Sequence, residues 1–206
     1  MPLSSVAKAA PDRERLVLAF GDSLTAGYGL KSSESFPVRL EALLRAEGQR
    51  VRVHNAGVSG DTTTDGKARL GRVLTGLKRK PDLAIVELGA NDMFMGHDPK
   101  ATEANLNAIV ADLKARGIPV VLAGMYDTTS LGFSYFDQFN AIYPRVAKRQ
   151  GVTLYPFFMK DVVMDSSRLL KDRVHPNARG ADTIARNILP TIRAELSRQY
   201  RTSHSR

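Results

Sequence analysis

Short aliphatic runs alternate with helix-patterned stretches along this chain, and that alternation restricts the fold more than any other feature. The runs are Leu16-Val17-Leu18-Ala19-Phe20, Val51 and Val53 leading into Asn55-Ala56-Gly57, Leu83-Ala84-Ile85-Val86-Glu87-Leu88, Ile118 to Leu122, and Val152-Thr153-Leu154. Each has the length of a strand and is apolar enough to be buried on both faces. Between them apolar residues recur at helical spacing. Phe36, Leu40, Leu43 and Leu44 make one face; Leu70, Val73, Leu74 and Leu77 make another, in a helix from about Asp65. Leu106, Ile109, Val110 and Leu113 place a third helix near 102–116, and a fourth ends at Gln150. A last helix runs from Asn177 or Ala178 to about Ser197. Pro37 suits a first turn, Gly117 a helix end, and Asp65 or a preceding threonine an N-cap. Such alternation implies a parallel sheet covered by helices on both faces, with right-handed crossovers.

A chain of 206 residues has room for one full α/β domain. That domain is expected over 15–198, with a leader over 1–14 and a basic tail over 199–206. No apolar run approaches the roughly 20 residues that span a bilayer, so no stable membrane insertion is expected. The chain has no cysteine, which excludes disulfides, thiolate zinc sites and a cysteine nucleophile. The formal charge of +9 is spread out, with Lys78-Arg79-Lys80 at a helix end and Arg193, Arg198, Arg201 and Arg206 near the C-terminus. Basic residues at a helix end complement its dipole. No basic stripe with interleaved aromatics is present, so nucleic acid is not an expected partner. Residues 1–14 lack the apolar core of a signal peptide, yet Ala7-Lys8-Ala9 has the small-x-small form of a cleavage site. These residues leave open the end of a trimmed signal sequence and a polar leader.

In a sheet of this kind ligands gather at the carboxyl ends of the strands. Gly21-Asp22-Ser23-Leu24 follows the first strand and places a serine on that rim. Gly60 follows the second strand, Asn91 the third, and Asp172-Arg173-Val174-His175-Pro176 lies after the fifth. Of the four histidines, His175 alone has an aspartate three residues before it and a proline after it. In a tight turn Asp172 can accept the Nδ1–H of His175 and leave Nε2 to take a proton from Ser23. Acyl transfer also needs donors for the developing oxyanion. The Ser23 N–H, the Gly60 N–H and the Asn91 amide are the candidates. Read singly, each of these residues also fits a turn or a cap.

Other chemistries lack their residues. No serine stands in Gly-x-Ser-x-Gly. Gly60 to Lys67 has the wrong glycine spacing for a phosphate loop, and Ala68 replaces its Ser/Thr. No His-Glu-x-x-His or clustered ligand set suggests a metal.

Gly21-Asp22-Ser23-Leu24, Gly60, Gly89-x-Asn91-Asp92 and Asp172-x-x-His175-Pro176 resemble, in order and rough spacing, the four blocks of the SGNH (GDSL) hydrolases. The chain looks most similar to the bacterial arylesterase and thioesterase/lysophospholipase branch, through Ser59-Gly60-Asp61-Thr62, Val86-Glu87-Leu88-Gly89 and Pro156-Phe157-Phe158-Met159. The resemblance covers about residues 16–195. It implies a three-layer αβα, flavodoxin-like five-stranded sheet in order 2-1-3-4-5. It implies an acyl-enzyme on Ser23, His175 as acid/base, Asp172 as its orienter, and Ser23, Gly60 and Asn91 as the oxyanion hole. No metal or cofactor is implied. Export of many members makes a periplasmic or secreted protein the expectation from the resemblance, with a cytoplasmic one as the alternative. The expected activity is hydrolysis of short- to medium-chain acyl or aryl esters, possible thioesters included. A carbohydrate O-acetyl esterase or acyltransferase, or a binding module on the same fold, is the alternative. The expected partner is a small-molecule ester, and the expected state a monomer or small homo-oligomer. Asp22, Phe94, Met95, Tyr126 and Phe133 are expected around the substrate cleft. Met95 stands where the branch often has arginine, and Asp127 to Leu131 replaces a Pro/Tyr-containing loop.

Overall fold

The computed structural model describes residues 13–126 and 132–204. The chain runs β1 (Arg15–Gly21), α1 (Ser23–Ala26), α2 (Phe36–Ala46), β2 (Val51–Gly57), α3 (Thr63–Gly76), β3 (Leu83–Glu87), α4 (Ala90–Phe94) and α5 (Pro99–Ala115). It continues through β4 (Val120–Ala123), α6 (Phe133–Asn140), α7 (Ile142–Gln150), β5 (Thr153–Tyr155) and α8 (Ala178–His204). The strands form one parallel sheet, as the strand–helix alternation implies, in the order β2-β1-β3-β4-β5 that the resemblance implies. Helices cover both faces: α2 packs against α8, while α3 packs against α5 and α5 against α7.

The core follows the sequence pattern. Val17 to Phe20 of β1 and Leu83 to Val86 of β3 are fully buried. Burying one such aliphatic side chain contributes about 1.5–3 kcal/mol. On α2, Phe36, Leu40 and Leu44 face inward, and Phe36 meets Phe158 edge-on with ring centroids 5.0 Å apart. The strand order reverses between β2-β1 and β1-β3, so the carboxyl end of β1 lies at the switch point of the sheet. There Gly21 pairs with both Gly57 and Glu87. A Cβ on Gly21 would sit 2.2 Å from Thr25 Oγ1 and 2.5 Å from the Glu87 carbonyl oxygen, so only glycine fits beneath the turn.

Several boundaries differ from the sequence reading. α3, expected from about Asp65, starts at Thr63, because Thr62 is its N-cap. The Thr62 hydroxyl and Asp65 form a capping box, which makes Asp65 the third helical residue. α5 begins at Pro99 behind an Asp98 cap. Ala90–Phe94, expected as loop, is helical, and Ala141 separates α6 from α7 where one helix was expected. α8 reaches His204, beyond the expected end at Ser197. The cleavage-like Ala7-Lys8-Ala9 and the segment Asp127 to Leu131 lie outside the described residues. Among the described residues, no helix is long and apolar enough to cross a membrane.

Candidate active site

Ser23 is the first residue of α1, and Asp22 is its N-cap, accepting the Leu24 N–H at 2.9 Å. The Ser23 N–H therefore has no carbonyl four residues back to bond. Opposite it stands the 172–176 turn. Asp172 Oδ1 accepts the N–H groups of Val174 (2.9 Å) and His175 (3.0 Å), which closes the turn. Its Oδ2 lies 2.8 Å from His175 Nδ1, and His175 Nε2 lies 3.0 Å from Ser23 Oγ. A carboxylate only accepts, so Nδ1 carries the proton and Nε2 of the neutral ring is free to accept from the serine hydroxyl. Partial burial pushes the Asp172 carboxyl up, but the Val174 and His175 donors outweigh it and hold the group below its ordinary value. The turn itself is anchored by an isolated bridge between Leu169 and Pro176 and by the Leu170 N–H on the His175 carbonyl, 2.7 Å. The Tyr28 ring packs against the imidazole with centroids 4.4 Å apart, a contact with no signal in the sequence beyond the glycines on either side.

Asn91 sits in the first turn of α4 at the end of β3. Its Nδ2 donates to the Asp61 carbonyl at 2.8 Å and lies 3.4 Å from Asp22 Oδ2. That bond joins α4 to the β2–α3 loop, which carries Gly60 at φ +88°. The loop is pinned to the serine turn as well. The Val58 N–H donates to the Gly21 carbonyl at 3.0 Å. Arg69 pairs with Asp61 and donates to the carbonyls of Ala56 and Gly21, each at 2.9 Å. Its guanidinium also lies 4.2 Å from the centre of the Phe20 ring.

Beneath the serine turn lies a group of buried acids. Asp22 and Glu87 are wholly buried and Asp92 nearly so. Asp92 is satisfied by the Thr63 N–H at 2.8 Å, with the Thr63 and Thr102 hydroxyls adding to it. Glu87 Oε2 accepts the Thr25 hydroxyl at 2.7 Å, whereas Oε1 has no hydrogen-bond partner among the described residues. Burial pushes Asp22 up to about 7, with the charges of Asp61 and Asp92 adding to it. Burial first, and the Asp22 charge second, push Glu87 well above its ordinary value. Two buried carboxyls this close do not ionise together.

Above Ser23 opens a cavity of about 470 Å³. Ser23, Asn91 and His175 border it, and its walls are mainly apolar: Met93, Phe94, Met125, Tyr126, Phe157 and Met159. Of the residues expected around the cleft, Phe94 and Tyr126 line it. Met95, Phe133 and Asp22 do not. Met95 caps the end of α4 and points to solvent. Phe133 opens α6 at 91% exposure, because that helix buries Phe139 instead. Asp22 lies under the turn as its cap. Gly60 is not part of the wall either; it adjoins the site through Asp61. The sequence reading missed Met125, Val163, Met164, Arg173 and Val174, which come from segments after β4 and β5 with no periodic pattern. Among the described residues, no group of three or more His, Cys, Asp or Glu is arranged to hold a metal ion.

Residues 19–183 match the model of the GDSL-like Lipase/Acylhydrolase family. The chain belongs to this family. An arylesterase from Vibrio mimicus is 38% identical over 177 residues, covering 86% of this chain and 88% of the relative. Thioesterase 1/protease 1/lysophospholipase L1 of Escherichia coli K12 is 37% identical over 181 residues, covering 85% of this chain and 84% of that one. The crystal structure of AlinE4, an SGNH-hydrolase family esterase, superposes with a TM-score of 0.77 at 43% identity, covering 90% of this chain and 98% of that chain. The expected fold is thus shared with a solved family member.

Proposed function

We propose that this GDSL-family chain is a serine esterase that cleaves short- to medium-chain acyl or aryl carboxylic esters, thioesters included, through an acyl-enzyme. One observation carries the reading: Ser23 Oγ, His175 Nε2 and Nδ1, and Asp172 Oδ2 form one line of hydrogen bonds of 3.0 and 2.8 Å at the mouth of an apolar cavity. Ser23 Oγ attacks the ester carbonyl carbon while its proton passes to His175 Nε2. The carbonyl π pair moves onto oxygen, and the Ser23 N–H and the Asn91 side-chain N–H receive that charge, with the Gly60 N–H as the third donor that the family resemblance implies. Collapse breaks the bond to the leaving oxygen or sulfur, which takes the proton from His175. Water then repeats the sequence on the acyl-serine, losing a proton to His175 and releasing the acid. Asp172 holds the ring in the required tautomer and stabilises the imidazolium. The relatives named arylesterase and thioesterase/lysophospholipase support the same bond class. The apolar wall favours a hydrocarbon or aryl acyl group over a sugar acetate.

The test is hydrolysis of p-nitrophenyl acetate, butyrate, octanoate and palmitate by the wild type and Ser23→Ala. Saturable wild-type turnover that disappears in the variant is expected, with the longest chain disfavoured by the cavity size. Equal turnover by both proteins would defeat the proposal.

A further inference from the structure

We infer that Arg173 is a specificity-determining residue, whose guanidinium receives an anionic group carried by the ester substrate. This rests on the esterase reading and adds a substrate class to it: amphiphilic esters that pair an apolar group with a carboxylate, phosphate or sulfate.

Three observations converge on Arg173. First, it lines the cavity between Asp172 and His175, and among the described residues it is the one permanently charged side chain in that wall. Among the described residues, no carboxylate lines the cavity to neutralise it. Second, its guanidinium has no hydrogen-bond or ion-pair partner among the described residues. The nearest acid in sequence, Asp172, is already committed to two backbone N–H groups and the imidazole. An arginine kept in place for the fold would normally be paired, as Arg69 is with Asp61. Third, Arg173 holds φ at +60°, in the left-handed region where a side chain is strained. The turn alone would be served better by glycine, and left-handed backbone costs other residues about 1–2 kcal/mol each. Strain of this kind collects at functional sites. The fold carries it at a cavity-lining residue two positions before the catalytic histidine.

The chemistry that matches is a planar fork of donors facing an oxyanion, which guanidinium groups bind in bidentate fashion. The anion can sit on the acid part or on the alcohol part of the ester. Two substrate pairs separate these sources. Mono-p-nitrophenyl glutarate against p-nitrophenyl valerate places the charge on the acid part. 4-Butyryloxybenzoate against 4-butyryloxybenzamide places it on the alcohol part.

The proteins to compare are the wild type, Arg173→Met and Arg173→Lys. Methionine keeps an apolar stem without charge, so it separates the charge from the packing of the stem. In at least one pair, the wild type is expected to favour the anionic ester relative to Arg173→Met by about tenfold in kcat/KM, mainly through KM. Arg173→Lys should recover part of that preference, and added salt should erode it in the wild type but not in Arg173→Met. Neutral esters should be turned over almost equally by all three. The inference is overturned if Arg173→Met leaves the anionic-to-neutral ratio unchanged in both pairs, or lowers anionic and neutral esters alike. Valerate turnover that survives Ser23→Ala would instead bring down the esterase reading, so the two failures are distinguishable.

Discussion

Asp172→Asn separates two jobs that one carboxylate performs. Oδ1 closes the turn by accepting two backbone N–H groups at 2.9 and 3.0 Å, and Oδ2 faces His175 Nδ1 at 2.8 Å. An asparagine at this position has little choice of orientation. Its NH2 cannot face two N–H donors, so its carbonyl takes the Oδ1 place and its NH2 points at the imidazole. Nδ1 must then accept, the proton moves to Nε2, and the ring can no longer take the proton of Ser23. In a buried triad the wrong tautomer costs about 10⁴ in kcat. The Asp172 side chain is 39% exposed, so water can support the other tautomer, and the loss here is set at about 10²–10⁴. The turn should survive, because both backbone bonds remain as neutral ones; the stability loss should stay near about 1 kcal/mol. Asp172→Ala removes the turn anchor but does not impose the wrong tautomer. The asparagine variant should therefore be the slower enzyme and the more stable protein of the two. Steady-state kinetics on p-nitrophenyl butyrate and thermal unfolding of both variants read this directly. An asparagine variant within tenfold of wild-type kcat, or one that unfolds as early as the alanine variant, would refute the reasoning.

Asn91→Ala should lower kcat by about 10²–10³ with little change in KM if the amide serves the oxyanion; a loss confined to KM would speak against that role. Arg69→Met should destabilise the protein by about 3 kcal/mol in urea unfolding, because Asp61 and the carbonyls of Ala56 and Gly21 lose their charged partner together. A change under half that size would mean water replaces the guanidinium. Glu87→Gln tests the buried acid pair through pH. The Asp22 carboxyl is raised from 3.8 to about 7 and Glu87 moves the same way, so the folded state holds more protons than the unfolded one in that window. The pair's stabilising contribution is full below about pH 4 and is lost as pH rises through 7. Removing one ionisable member should flatten the fall in melting temperature between pH 5 and 8; parallel curves for variant and wild type would show that the pair does not titrate there.

The layered sheet was legible because its strands are buried on both faces and read as unbroken aliphatic runs, Val17 to Phe20 most clearly. Ser23, Asp172 and His175 were legible for a local reason. Asp-x-x-His folds into one turn held by Asp172 itself, and a serine after the first strand of such a sheet must stand on the rim. The cavity wall was not legible. Met125, Phe157, Met159 and Val163 follow β4 and β5 in segments with no periodicity, and their convergence is set by tertiary packing alone. α4 was missed because five residues are too few to display a helical repeat. Phe133 was misplaced because an aromatic next to a rim loop reads as a cleft residue, whereas α6 turns Phe139 inward. Glu87 gave no warning either: a lone acid at the end of a strand reads as exposed, and only the register with Gly21 puts it beneath the serine.

The most direct test of the serine mechanism is covalent capture. Incubation with diethyl p-nitrophenyl phosphate followed by peptide mass spectrometry should find one diethylphosphoryl group per chain, on Ser23, formed in step with loss of esterase activity. Labelling should become much slower in His175→Ala, whose serine lacks the base 3.0 Å away. Loss of activity with Ser23 unmodified, or a label on another residue that tracks the inactivation, would contradict the assignment of Ser23 as the nucleophile.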